Sequence, residues 1–344
     1  NDSAVVLSGN VFQTLTASSS AIHVVGSPLS VLWRSLFALV GNTFHMDGGD
    51  STLMYIEGSS KSLSLSVLNS SAVVIRGNLV PRSVQYAIFF LWALVVESQS
   101  AVVFQGNEMQ GSLVVFYSSF ASYIYYNSWL QLSGNLCRES PSDTFAVLSP
   151  TLNLRDSTVS LSDNQFTSSH GMTRALWIFL GTSDLTNGEI VAACNTVNGE
   201  EGVEYSIPSV YNAAILTCSD PCTLAASCFP AYTTKASSDG CACTCAEGGH
   251  GDACLPVAVP EPPSTDGADL CVRDVRVDVE VSAGLGTSVA CYVGVTFAVD
   301  VVVDVESMLG SVRNVTLVNC TFVGGASLYV VGWRSDPPAG ERAD

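Results

Sequence analysis

A ten-residue phrase recurs along the first half of the chain and constrains its fold more than any other feature. Residues 71–80 read SAVVIRGNLV, and residues 100–109 read SAVVFQGNEM. Aligned on the asparagine, six copies fall into register, 28 to 36 residues apart, at Asn10, Asn42, Asn78, Asn107, Asn135 and Asn164. A repeat of this length is typical of a solenoid, in which each unit buries its apolar face against the next unit.

Each copy has the two-residue period of a β-strand. Every copy carries Ser seven positions before the Asn, and apolar residues five and three before it and two after it. Val5, Leu7 and Phe12 therefore point one way, whereas Val6 and Ser8 point the other. Short strand-like runs separated by turn residues follow each phrase. We therefore predict an all-β fold, a right-handed parallel β-helix, with a small disulfide-rich module and a second β segment.

A leucine-rich repeat is the alternative solenoid, because its core shares the same spacing of apolar residues around an Asn. That repeat needs another Leu eight positions before the Asn. This chain has polar residues there, among them Arg34, Gln99 and Asp156. The second half of each unit is also strand-like, and both observations favour the β-helix.

The repeated Asn is predicted to be structural rather than catalytic. Asn tolerates left-handed backbone and bonds locally at turns, and Gly precedes it in five of the six copies. The same turn recurs in each coil, about 4.8 Å above the last. We therefore predict a ladder of stacked Asn side chains, with a degenerate seventh copy at Asn195.

Seven of the twelve cysteines lie between residues 218 and 254, which is typical of disulfides in an oxidising compartment. The end of this block resembles an EGF-like module, with Gly249 in place of the usual aromatic residue. Seven is odd, so one cysteine either pairs outside, with Cys271 as a partner, or stays free. Zinc at three alternating cysteines is the less favoured alternative, because zinc sites usually show C-x-x-C pairs. The predicted disulfide cysteines are Cys218, Cys222, Cys228, Cys241, Cys243, Cys245, Cys254 and Cys271.

The composition divides the chain into five predicted segments. They are β-helix repeats at 1–215, the cysteine-rich module at 216–255, a Pro-rich linker at 256–268, a second β-rich region at 269–335 and a disordered end at 336–344. In the second region Val alternates with acidic residues, which indicates half-buried strands with a solvated acidic face. Calcium on that face is an open alternative. Cys320 takes the place of the repeated Asn there.

Charge and hydropathy restrict the partners. The net charge of −18 argues against nucleic acid, which binds through clustered Lys and Arg. The most apolar run, at residues 86–96, is about half the ~20 residues of a spanning helix, so no membrane span is expected here. Sequons predict glycosylation at Asn69, Asn314 and Asn319. A chain beginning at Asn1 is expected to be a piece of a longer protein.

Three features together carry a family resemblance. They are the serine-rich coils, the block CSDPC…CACTCAEGGHGDACLP at residues 218–256, and the phrase LVNCTF at residues 317–322. These features resemble the trypanosome dispersed gene family surface proteins. The resemblance implies a very large, glycosylated surface protein with a membrane anchor in a C-terminal region outside this chain. It also implies adhesion to host cells or matrix, and it supplies no catalytic residues.

The sequence predicts a non-enzymatic protein. Of the motif set of polygalacturonase-like β-helices, only Gly249-His250-Gly251 is present, and it lies in the cysteine-rich block. We predict no catalytic residues, no metal site and no cofactor. The leading hypothesis is a cell-surface or secreted β-solenoid that adheres to a host-cell or matrix protein or to a glycan. A carbohydrate-active β-helix enzyme and a passive surface coat are the alternatives.

Overall fold

The computed structural model describes twenty stretches of the chain. They are residues 3–15, 20–25, 29–46, 52–56, 65–90, 94–116, 122–138, 144–148, 152–167, 174–178, 185–201, 204–206, 212–216, 233–236, 243–250, 254–256, 271–278, 281–283, 289–304 and 314–331. Every regular element in these stretches is a β-strand. Across these same stretches, therefore, no helix has the length and apolarity needed to cross a bilayer.

The strands form a parallel β-helix, which confirms the predicted fold class. In the described residues the strands lie on three sides of the solenoid, and equivalent strands of successive coils pair in parallel. The strands of the Asn phrase build sheet 1. From one end of the solenoid to the other, sheet 1 consists of Asn212–Leu216, Glu189–Ala193, Thr158–Ser162, Trp129–Ser133, Ala101–Gln105, Ala72–Arg76, Leu36–Val40, Ala4–Ser8, Asn314–Val318, Val289–Val293 and Val272–Arg273. We call the Asn212–Leu216 end the upper end.

Sheet 2 follows the Asn turn and has two rows of strands. The first row contains Thr196–Val197, Gln165–Thr167, Leu136–Arg138, Thr43–Met46, Val11–Leu15, Thr321–Phe322, Thr296–Phe297 and Arg276–Val277. The second row contains Glu204–Ser206, Arg174–Ile178, Thr144–Leu148, Thr52–Ile56, Ser20–Val25, Leu328–Val331, Val301–Asp304 and Val281–Ala283. Two long strands, Glu108–Phe116 and Leu79–Phe90, contribute to both rows, and Glu200–Glu201 pairs antiparallel with Thr196–Val197.

Sheet 3 completes the coil and leads back into sheet 1. Its strands are Leu185–Thr186, Leu152–Arg155, Ser122–Tyr125, Leu94–Glu97, Leu65–Leu68 and Leu29–Leu32. The leucine-rich repeat alternative does not describe this coil, because strands follow the Asn turn as well as precede it. Outside the solenoid, Thr233–Ala236 and Cys243–Cys245 form an antiparallel pair.

The core fills the solenoid along its length, with inward residues stacked in columns. Val5, Leu7 and Phe12 are buried in this core, whereas Val6 belongs to a separate cluster on the outer face, as the alternation predicts. In the column two residues past the Asn turn, Phe12 stacks on Phe44 at 4.8 Å between ring centroids. Burial of such a column is the main favourable term that holds successive coils together.

The C-terminal strands lie directly beneath the N-terminal coil. Asn314–Val318 pairs in parallel with Ala4–Ser8, so that Ala4 lies opposite Asn314 and Ser8 opposite Val318. The Phe column continues across this junction, because Phe322 stacks on Phe12 at 4.3 Å. We call this junction the seam. Coils from residues 272–331 therefore extend the lower end of the solenoid, in register with the repeats of residues 4–216.

The outer face of sheet 1 carries a second apolar cluster. Val6, Ala38, Val74, Val103 and Trp129 side chains are buried there although they point away from the interior, and Leu255 packs against them. Parallel strands that are buried on both faces usually consist of consecutive apolar residues. The strands Leu36–Val40 (LFALV) and Ala101–Gln105 (AVVFQ) are of this kind.

The strand alternation also places Gln131 on this outer face. Gln131 does point away from the interior, but only 1% of its surface is exposed. Its neighbour Trp129 donates an indole hydrogen bond to Ser160 Oγ at 3.1 Å in the same covered region. Around Trp129 and Gln131, sheet 1 therefore has buried side chains on both of its faces.

Candidate functional site

The repeated asparagines form one buried ladder at the turn from sheet 1 to sheet 2. From Asn10 up to Asn164, the backbone N–H and the Nδ2 group of each ladder Asn donate to Oδ1 of the Asn one coil higher. The Nδ2–Oδ1 distances along Asn10, Asn42, Asn78, Asn107, Asn135, Asn164 and Asn195 lie between 2.8 and 3.0 Å. Nδ2 also donates to a sheet 1 carbonyl of the coil below, as from Asn107 to Ile75 at 2.9 Å.

The residue before each ladder position has the left-handed backbone that the turn requires. Five of these residues are Gly, and Asp163, Cys194 and Asn319 adopt the same conformation. Gly9 has a second constraint, because a Cβ there would lie 2.3 Å from Asn319 Oδ1 across the seam. Below Asn10 the ladder position is held by Cys320, whose backbone N–H donates to Asn10 Oδ1 at 2.9 Å. Buried and bonded in this way, the ladder holds the coils together and offers no surface to a ligand.

Asn135→Ala is expected to lower the free energy of unfolding by about 1–3 kcal/mol. The change leaves the backbone N–H and Nδ2 of Asn107 without the Oδ1 that accepts both of them. Urea unfolding followed by circular dichroism measures the loss. Asn314→Ala, which removes one exposed hydrogen bond from Ala4 outside the ladder, is the control, and an equal loss in both variants would contradict the role of the ladder.

Two disulfides are defined among the described cysteines. Cys245 bonds Cys254 within the cysteine-rich block, and Cys243 is also disulfide-bonded, so neither is a free thiolate for the zinc alternative. Cys271 bonds Cys291. This bond corrects the expectation that Cys271 pairs with a cysteine of the block. Cys218, Cys222, Cys228 and Cys241 lie outside the described residues.

The three predicted glycosylation sites occupy different surroundings. Asn69 lies in the turn between sheets 3 and 1. Asn314 is exposed at the seam, where its Oδ1 accepts a hydrogen bond from the Ala4 backbone at 3.1 Å. Asn319 is also exposed at the seam.

Two acidic residues near the lower end each have a partner of their own. Asp278 pairs with Arg276 at 2.8 Å, and Asp300 accepts a hydrogen bond from the Ser327 backbone at 2.8 Å. In the stretches that the structure describes, no group of three His, Cys, Asp or Glu side chains converges on a metal position.

A groove runs along the corner between sheets 3 and 1. Its volume is about 560 Å³, and it is lined by paired turn residues of four successive coils, 33–34, 69–70, 98–99 and 126–127. All eight residues have left-handed φ angles between 56° and 61° although none is Gly. Such backbone is unusual for non-Gly residues. The turn thereby projects two side chains per coil from the corner.

Aromatic residues mark the two ends of this groove. Trp33 is 53% exposed and Tyr126 is 45% exposed, which is unusual for large apolar side chains. Tyr126 packs edge-on against Tyr125 at 5.8 Å, and the Arg155 guanidinium lies over its ring at 5.5 Å from the centroid. These contacts hold the Tyr126 ring in place at the upper end of the groove.

Sequence reasoning did not predict this groove. Its residues lie eight and nine positions before the ladder Asn, where only the backbone conformation repeats and the residue types differ. One signal in the sequence could have indicated it. Nine positions before the ladder Asn, two coils have the aromatic residues Trp33 and Tyr126, whereas the two coils between them have Asn69 and Ser98.

Two family models match parts of the chain. The DGF-1 N-terminal domain matches residues 152–255, and the DGF-1 beta-sheet domain matches residues 314–344. In these two segments the chain is similar to dispersed gene family 1 of trypanosomes. Along the solenoid, the coils that form the groove lie between the two matched segments. No curated protein and no solved structure matches the chain.

Proposed function

We propose that this chain is a non-enzymatic, cell-surface or secreted β-solenoid that mediates adhesion to a host cell or to extracellular matrix. The groove at the corner between sheets 3 and 1 is the observation that carries the proposal. A solvent-exposed cleft with aromatic side chains and a few polar groups has the composition of a binding site. An adhesive role also agrees with the surface location that the similarity to dispersed gene family 1 suggests.

The side chains around the groove favour binding over hydrolysis. Glycoside hydrolysis generally uses two carboxyl groups on either side of the bond that is cleaved. The described lining residues are Trp, Arg, Asn, Ser, Gln and Tyr, without a carboxylate. Glu97 precedes the groove residue Ser98, and burial raises the pKa of its carboxyl. A raised pKa suits a general acid, so Glu97 is the residue by which the enzyme alternative is tested.

The proposal is tested with the purified 344-residue chain. We expect labelled protein to bind host-cell monolayers or immobilised matrix saturably, and Trp33→Gly to reduce that binding. Glycine keeps the left-handed backbone at position 33 while removing the ring. Leu79→Ala removes an exposed apolar side chain outside the groove and serves as the control.

Adhesion, a passive coat and enzyme activity each predict a different result with the same purified protein. Saturable binding that Trp33→Gly abolishes and Leu79→Ala preserves supports adhesion through the groove. Failure to bind any cell or matrix preparation would favour the passive coat. Release of reducing ends from a polysaccharide, abolished by Glu97→Gln, would replace adhesion with the enzyme alternative.

A further inference from the structure

The groove presents two aromatic rings at a fixed separation along the solenoid axis. Trp33 and Tyr126 belong to turns three coils apart, which corresponds to about 14 Å at the usual spacing of parallel strands. The turns between them carry the smaller side chains Asn69 and Ser98. The groove is therefore elongated along the axis, with an aromatic ring at each end and polar groups between them.

The backbone of these turns is already engaged between coils. Arg34 N–H donates to the Asn69 carbonyl at 3.0 Å, and Ser70 N–H donates to the Ser98 carbonyl at 2.9 Å. Gln99 N–H donates to the Tyr126 carbonyl at 2.9 Å. An extended peptide binds a sheet edge through unpaired backbone groups, whereas the N–H groups of Arg34, Ser70 and Gln99 in these turns are already bonded. Recognition at the groove thus depends on side chains.

The side chains that line the groove offer aromatic faces, amides, hydroxyls and the guanidinium of Arg34. Pyranose rings present an apolar face of C–H groups and a rim of hydroxyl groups, so they match aromatic faces and amides at the same time. Trp and Tyr offer large contact area with little conformational freedom to lose. Asn side chains both donate and accept hydrogen bonds, which suits hydroxyl partners.

Resting on the proposed adhesive function, we propose that the groove binds an unbranched glycan that lies along the solenoid axis. Sugar rings stack on Trp33 and Tyr126, and the amides of Asn69 and Asn127 bond the hydroxyls of the sugars between them. Adhesion through this site then depends on glycans of the target surface rather than on its proteins.

The position of Asn69 makes binding at the groove sensitive to glycosylation. Asn69 lines the groove and begins the sequon Asn69-Ser70-Ser71. A glycan attached to Asn69 would occupy the groove and exclude an external ligand. We therefore expect protein from a glycosylating host, with Asn69 shown to be occupied by peptide mass mapping, to bind at least tenfold more weakly than protein from a non-glycosylating host. Enzymatic removal of the glycan restores binding, and equal binding by both forms would place the ligand outside the groove.

An immobilised array of neutral and acidic oligosaccharides tests the ligand class, with protein from a non-glycosylating host. We expect the wild-type chain to bind linear members of the array, with Trp33→Gly and Tyr126→Gly each weakening binding by about tenfold or more. Leu79→Ala is expected to bind as the wild type does. Melting curves that match the wild type show that the variants are folded. The absence of any bound oligosaccharide, or unchanged affinity in both groove variants, would overturn the proposal.

Enzymatic deglycosylation of target cells separates this proposal from the adhesive function. Loss of wild-type adhesion after deglycosylation supports the glycan ligand. Adhesion that survives deglycosylation, yet is lost in Trp33→Gly, would overturn the glycan ligand and leave adhesion through a protein ligand standing. Failure to adhere to untreated cells would contradict the adhesive function itself.

Discussion

Phe12→Ala should lower the free energy of unfolding by about 3–5 kcal/mol, the usual cost of removing a fully buried Phe ring. Phe12 stacks on Phe44 above and on Phe322 below, at 4.8 and 4.3 Å between centroids. Aromatic pairs add to the burial term, so the loss should lie toward the upper part of that range. Chemical denaturation with a two-state fit measures it.

Phe12→Ala is expected to destabilise the seam, whereas substitution of a core residue in another coil is not. Phe166 is equally buried at the same position of its coil, but its neighbours in the column are Cys137 and Val197. Hydrogen exchange should therefore accelerate at residues 314–318 in Phe12→Ala and stay near the wild-type rate there in Phe166→Ala. Equal protection of residues 314–318 in both variants would show that the ring stack does not hold the seam.

Leu132→Ala is expected to cost about 2–5 kcal/mol, because it leaves a cavity in a column that cannot collapse easily. Leu132 is buried in the solenoid core, with Phe104 below it and Leu161 above it in sheet 1. Both neighbours are fixed by strand pairing on each side. Thermal or urea unfolding measures the loss.

Ser133→Ala is the matched control for Leu132. The Ser133 side chain points to the opposite face of the same strand, and its Oγ is buried without a hydrogen-bond partner. Removing an unsatisfied polar group is close to neutral or slightly stabilising. A larger loss in Ser133→Ala than in Leu132→Ala would invert the assigned faces of sheet 1.

The Asn phrase made the solenoid predictable because it encodes local geometry. Ser71, Val73, Ile75 and Val80 fix the strand, its inward face and the turn at Asn78 without information from the rest of the chain. The seam was not predictable in the same way. LVNCTF fits the phrase, but a matching phrase does not say which coil it stacks on, and residues 314–318 pair with the first coil.

The two surfaces missed from the sequence have different causes. Strand alternation separates the inward face of sheet 1 from its outer face, but it does not show that Leu255 packs against the outer face. The groove has no repeated residue types, since its turns share a backbone conformation rather than side chains. Hydrophobic periodicity predicts neither long-range packing nor unusual backbone torsions.

The seam has a consequence for how this chain acquires its structure. Ala4 and Asn314, which bond across it, are 310 residues apart, so residues 314–318 reach the lower edge of the Ala4–Ser8 strand only after the chain between them has been synthesised. Such contacts between distant residues form slowly, and an unpaired strand edge is a template for another chain. Truncation before residue 314 would therefore leave the first coil uncapped and make the nascent protein prone to edge-to-edge association.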